Sequence, residues 1–176
     1  MLGVTGGLKE KLVNPIREVT MAKFTDAPEV EMIARSLLVS EHSELLEAKI
    51  RYLFREGDWS TRDKETLGQA QLLTGKQHFI TKLDFVITIN KDAWTVLTNN
   101  QRIALVDHEL SHCCRGEDDK FGNPTWYIQG HDVEDFIGVI NRHGYWTPTL
   151  RRFDEAGQKY RQLTIQELQP TGTDDD

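Results

Sequence analysis

The chain is poor in cysteine: it has two, Cys113 and Cys114, and they are neighbours. Adjacent thiols cannot form the Cys-x-x-Cys pair of a zinc ribbon or a redox motif, and a disulfide between them would be strained. Both are expected to stay reduced and to pack at the end of a helix. Long apolar runs are missing too. No stretch approaches the roughly 20 residues that cross a bilayer. Met1 to Gly7 lacks the basic start and apolar stretch of a secretory signal. These absences argue against a disulfide-stapled or membrane-spanning protein and predict one that works in the cytosol.

Positive charge is also in short supply, with 21 Lys and Arg against 28 Asp and Glu, a formal net charge of -7. Asp174, Asp175 and Asp176 supply part of it. An acidic protein is repelled by nucleic acid at long range, so DNA binding over a broad surface is disfavoured. The basic residues that do gather, Lys49, Arg51, Arg55, Arg62 and Lys64, read as the solvated outer face of a strand and a loop. No internal repeat is visible.

What remains is ordinary globular material. With 176 residues, 38% of them hydrophobic, and a mean hydropathy of -0.52, the chain suits one soluble domain with a single core. Residues 1–24 read as an N-terminal extension, 25–146 as the domain, and 147–176 as a C-terminal extension with a disordered acidic tail. Thr25-Asp26-Ala27-Pro28 is a helix start, and Val30, Ile33, Ala34, Leu37 and Leu38 give that helix one apolar face to about Ser40. A second short helix is expected through Leu45 and Leu46. Three extended segments follow: Lys49 to Arg55, a weaker one from Thr66 to Leu73 containing Gly68, and Asp84 to Asn90, where Phe85, Ile87 and Ile89 share a face. The intervening Glu56 to Glu65 reads as a charged loop. The pattern predicts an α+β fold, with a short, mainly antiparallel sheet of three to four strands packed on two later helices.

The first of those helices carries the chemistry. Asn90 can cap a short helix through Trp94 and Leu97; Thr98 with Gln101 then forms a capping box. Ile103, Val106, Leu110 and Cys113 follow at helical spacing, with Gly116 as the stop. On this helix His108-Glu109-Leu110-Ser111-His112 is an HExxH motif. His108 and His112, four apart, leave the same side and can reach one zinc ion. Glu109 projects beside them, where a carboxylate can take a proton from the attacking water and deliver it to a leaving amine. Leu110 points the other way, into the core.

A catalytic zinc needs a third protein ligand. His131 is the better candidate, at the start of a helix expected from about His131 to His143 with Val133, Phe136, Ile137 and Ile140 buried and Gly144 ending it. Glu134, one turn later, is the alternative. His42, His78 and His143 have no partner at ligand spacing and read as surface or packing residues. Asp107, Asp132 and Asp135 are candidates to accept the second ring N–H of a ligand histidine, although a solvated helix carboxylate is the plainer reading of each. Tyr145 and Trp146 could border the cleft, with Tyr145 near an oxyanion, but core packing is the simpler account. One further helix is expected near Asp154 to Leu163. The strand Asp84 to Asn90, preceding the metal helix, is expected at the sheet edge, where an extended peptide could add by backbone pairing.

These residues resemble a known family. The order of three strands, motif helix and then Gly130-His131-Asp132-Val133-Glu134-Asp135-Phe136 is similar to the SprT-like zincins, in which a glycine-histidine pair followed by a phenylalanine opens the third-ligand helix. More closely, four segments resemble the phage metallopeptidase family: Ala48-Lys49-Ile50-Arg51-Tyr52-Leu53-Phe54-Arg55, Thr66 to Gly75, Asp84-Phe85-Val86-Ile87, and Leu105-Val106-Asp107-His108-Glu109-Leu110. The similarity covers roughly residues 25–146. It implies a zincin-like domain, a Zn2+ site at His108, His112 and His131, Glu109 as base, and a phage or prophage origin.

The leading expectation is therefore a zinc-dependent metallopeptidase acting on a protein or peptide, a host protein among the candidates, in the host cytoplasm if phage-encoded. The alternative is a zincin-fold phage protein that binds and inhibits a host defence or replication protein without proteolysis, using the loop Glu56 to Glu65 and the terminal extensions. A third reading, a DNA-associated repair protease, requires salt-sensitive DNA binding.

Overall fold

Period-two patterning sets the sheet. In the computed structural model, which describes residues 22–61, 64–135 and 137–167, the described residues form two compact units, divided between Leu110 and Ser111. The first unit runs β1 (Lys23–Asp26), α1 (Pro28–Ser40), a 3-10 turn (Ser43–Leu45), β2 (Ile50–Glu56), β3 (Ser60–Thr61), β4 (Lys64–Glu65), β5 (Gly68–Leu72), α2 (Gly75–Thr81), β6 (Phe85–Asn90), α3 (Lys91–Val96) and α4 (Asn99–Ser111). Its four-stranded sheet has the order β1-β2-β6-β5. The β1–β2 and β6–β5 pairs are antiparallel and β2–β6 is parallel. This is the expected α+β class with a mainly antiparallel sheet.

Phe85, Ile87 and Ile89 alternate along β6 and are completely buried, and Tyr52 and Phe54 of β2 join them. Val30 and Ala34 of α1 are likewise excluded from solvent, as are Val106 and Leu110 of α4. Trp94 of α3 meets Phe54 with ring centroids 5.7 Å apart. β6 lies between β2 and β5, so the edge position expected for it is wrong; among the described residues the edges are β1 and β5. The order is a long-range property that local alternation does not encode.

Several local expectations change for similar reasons. Lys23 to Asp26 belong to a strand rather than to an extension and a helix cap, because Asp26 faces β2 and accepts from Arg51 at 2.7 Å. Pro28 still opens α1, with Ala27 at the cap position and no side-chain cap. The loop Glu56 to Glu65 contains the β3–β4 pair. α2 was not expected; its Phe79 and Ile80 are mostly exposed, so it has no buried periodic face to announce it. The basic group on β2 is spent locally: Arg51 pairs with Asp26, and Arg55 donates to the Gly57 and Asp58 carbonyls and stacks on Trp59. Arg62 lies outside the described residues.

The second unit holds β7 (Cys113–Arg115), β8 (Trp126–Ile128), α5 (Ile137–His143) and α6 (Pro148–Glu167). The motif helix stops at Ser111 instead of running to Gly116, because Cys113 to Arg115 pair with Ile128 to Trp126. Gly116 serves close approach there: a Cβ would stand 2.5 Å from the Thr125 hydroxyl. Neither cysteine is in a disulfide; Cys113 is buried and Cys114 half-buried, on a strand rather than a helix end. The chain leaves β8 extended, held by the Gln129 amide on the His112 carbonyl at 2.8 Å, and turns helical only at Ile137. His131 to Asp135 are therefore not helical, Ile137 is 77% exposed instead of buried, and Phe136 lies outside the described residues. Gly144 closes α5 with φ +66, its amide on the Ile140 carbonyl. α6 spans more than the expected Asp154 to Leu163; Pro148 opens it and the Thr147 hydroxyl accepts from the Leu150 amide. No helix among the described residues is long and apolar enough to cross a membrane.

Candidate metal centre

The start of α4 is fixed by local chemistry. The Thr98 amide donates to the Gln101 side chain at 2.9 Å and the Gln101 amide returns to the Thr98 hydroxyl at 3.4 Å, which is the expected capping box. Just upstream, the Asn90 side chain accepts from the Asp92 and Ala93 amides and caps α3. So anchored, α4 presents His108 near its end, and His112 follows one residue past Ser111.

His108, His112 and His131 come together: each offers a ring nitrogen, and these atoms all lie within 4.8 Å of one another. His108 and His131 are exposed and His112 is half-buried. The His112 and His131 rings are 4.7 Å apart at 55°. His112 Nδ1 stands 2.6 Å from the Gln129 carbonyl oxygen. A carbonyl only accepts, so Nδ1 carries the proton and Nε2 keeps its lone pair for a metal. Glu134 is not in the cluster; its Oε1 sits 3.7 Å from His131 Nδ1, and the side chain is 82% exposed.

The donor set suits a divalent metal. His108, His112 and His131 would hold such an ion through one imidazole nitrogen each and leave it room for a further ligand.

Glu109 was expected to project beside the two histidines, and the structure buries it. It is 4% exposed, and its carboxyl lies against Gly68 of β5. Val106 and Leu110, one turn and one residue away, are fully buried and fix the helix.

Other candidates are engaged elsewhere. His42 is buried, its Nε2 2.7 Å from Asp107 Oδ1, so it packs the helix rather than adding a ligand. Asp135 accepts from the Trp146 indole at 2.9 Å. Tyr145 and Trp146 are exposed rather than core residues, and a hydrogen bond to Asp154 raises the Tyr145 pKa. Tyr127 is raised as well, chiefly by the charge of Cys114 opposite it on β7. His78 is half-exposed beside Asp84, and His143 ends α5 in solvent.

Two contributors escaped sequence reasoning. Gln129 acts through its backbone, which any residue type supplies, so no sequence signal marks it. Gly68 did leave one, as a glycine in the interior of a strand pattern.

No curated protein and no solved structure matches the chain. The profile of one protein family, described as Putative phage metallopeptidase, matches residues 22–156. That span takes in β1, the whole four-stranded sheet, the motif helix and all three histidines. The chain belongs to this phage metallopeptidase family.

Proposed function

We propose that the protein is a zinc-dependent metallopeptidase in which His108, His112 and His131 hold Zn2+ and Glu109 is the general base. The observation that carries this reading is the gathering of three imidazole nitrogens, one of them from His108, the sequence neighbour of the buried Glu109 on α4. Zinc, when bound, supplies the Lewis acidity that makes a water nucleophilic at neutral pH. Glu109 takes the proton from the attacking water and returns it to the departing amine. The Gln129 carbonyl holds His112 in the Nδ1–H tautomer, which orients the ring. The substrate is a protein or peptide. Among the described residues β5 has a partner on one side only, and its Gly68 touches Glu109, so an extended chain can add there by backbone pairing. We place the reaction in the cytoplasm, the host's if the gene is a phage's.

Metal analysis of the purified protein together with cleavage of casein and host lysate tests the reading. One zinc per chain is expected, with Glu109→Gln retaining the metal and losing about 10²–10⁴-fold in rate. Stoichiometric zinc without any cleavage that Glu109→Gln abolishes would count against hydrolysis and for the binding-only alternative.

A further inference from the structure

Glycine inside a strand weakens it, since it brings no side chain to pack and gives the unfolded chain more freedom. Gly68 opens β5 opposite Ile89. Gly57, Gly75, Gly122 and Gly144 all adopt positive φ, but Gly68 does not, so its conformation is open to any residue. Space explains the glycine instead. A Cβ at this position would lie 2.5 Å from Oε1, 2.9 Å from Cδ and 3.0 Å from Cγ of Glu109. Those distances are well inside van der Waals contact.

Neither partner can easily give way. The strand entry is pinned on Asn90, whose amide donates to the Leu67 carbonyl at 2.8 Å and whose side chain donates to the Thr66 carbonyl at 3.1 Å. Register with β6 then runs unbroken from Gly68 to Leu72. On the other side, Glu109 is 4% exposed and stands between fully buried Val106 and Leu110 on α4.

We propose that Gly68 is a positioning residue for Glu109: its missing side chain is the seat of the carboxyl group. The inference rests on the reading of Glu109 as general base. In the reaction the seat sets where the proton is taken up, so a filled seat should lower kcat and leave KM and the metal in place.

The test is a double-mutant cycle in the full-length zinc-loaded protein, read by peptidase kinetics, bound zinc and thermal unfolding. Gly68→Ala should cut kcat at least tenfold, with KM within about twofold and zinc unchanged. Glu109→Asp withdraws the carboxyl by one methylene, and its relative cost should be at least tenfold smaller in the Gly68→Ala background than in the wild type. Independent, multiplicative losses would overturn the proposal. Thermal unfolding needs no activity: Gly68→Ala should lower Tm, and adding Glu109→Ala should restore it to that of Glu109→Ala alone. If Gly68→Ala alone does not fold, the double variant should; a depression that persists without the Glu109 side chain overturns the seat. A restored Tm in a protein that cleaves nothing would uphold the seat and place the failure with hydrolysis.

Discussion

Leu110 and His112 stand two residues apart and face opposite demands. Leu110 is fully buried, and the half-buried His112 ring turns to the histidine cluster. Truncating a buried leucine removes transfer energy and leaves a cavity that neighbours fill only in part. Leu110→Ala should therefore cost ~2–5 kcal/mol in urea unfolding of the metal-free protein. His108→Ala changes an exposed ring and should cost far less in the same assay while lowering zinc occupancy. The contrast separates what holds the helix from what the helix holds.

At the scale of elements, local chemistry was legible and partnership was not. The caps at Asn90 and Thr98 were readable because donor and acceptor lie within three residues of each other. The alternation of Phe85, Ile87 and Ile89 named a buried strand for the same reason. Alternation does not say that β2 and β5 flank that strand, because neighbours in a sheet are set by residues far apart in sequence. The histidine triad was readable in type and spacing for His108 and His112. His131 lies close to them in the structure, but not on the helix expected to carry it, which begins only at Ile137. Asn90 deserves a test as a junction, since it caps α3 and also ties Thr66 and Leu67 to β6 while 3% exposed. Asn90→Ala should destabilise by about 1–2 kcal/mol, from a lost cap and an unpaired carbonyl. Asn90→Asp keeps the acceptor for the cap, loses the donor to Thr66, and should fall between the two in thermal unfolding.

The chain carries a formal charge of -7, and among the described residues one carboxylate makes a three-way link with two lysines. Glu56 receives Lys91 at 2.7 Å and Lys23 at 3.3 Å, joining β1, β2 and the start of α3. The Lys91 hydrogen bond, then that of Lys23, holds the Glu56 carboxyl below its ordinary 4.5, and the pairing raises Lys91. A carboxylate depressed by folding stabilises above its unfolded pKa, and that contribution fades as pH falls through the folded value. Lys91→Met should thus raise the Glu56 pKa toward its ordinary value, read by NMR titration of the side chain. The Tm gap between wild type and variant should be widest near neutral pH and close as pH falls below about 4. Added salt should narrow the gap as well, because all three groups are partly exposed.

The acceptor that orients His112 belongs to the main chain of residue 129. Replacing that side chain leaves the carbonyl in place, so the ring's tautomer is insulated from single-codon substitutions there. It is exposed instead to changes of length. One residue gained or lost in β7 or β8 would slip the hairpin and turn a different group toward Nδ1. The turn between Arg115 and Trp126 can vary in size so long as the pairing survives. For this imidazole, the reading frame of the hairpin matters more than the spelling of its residues.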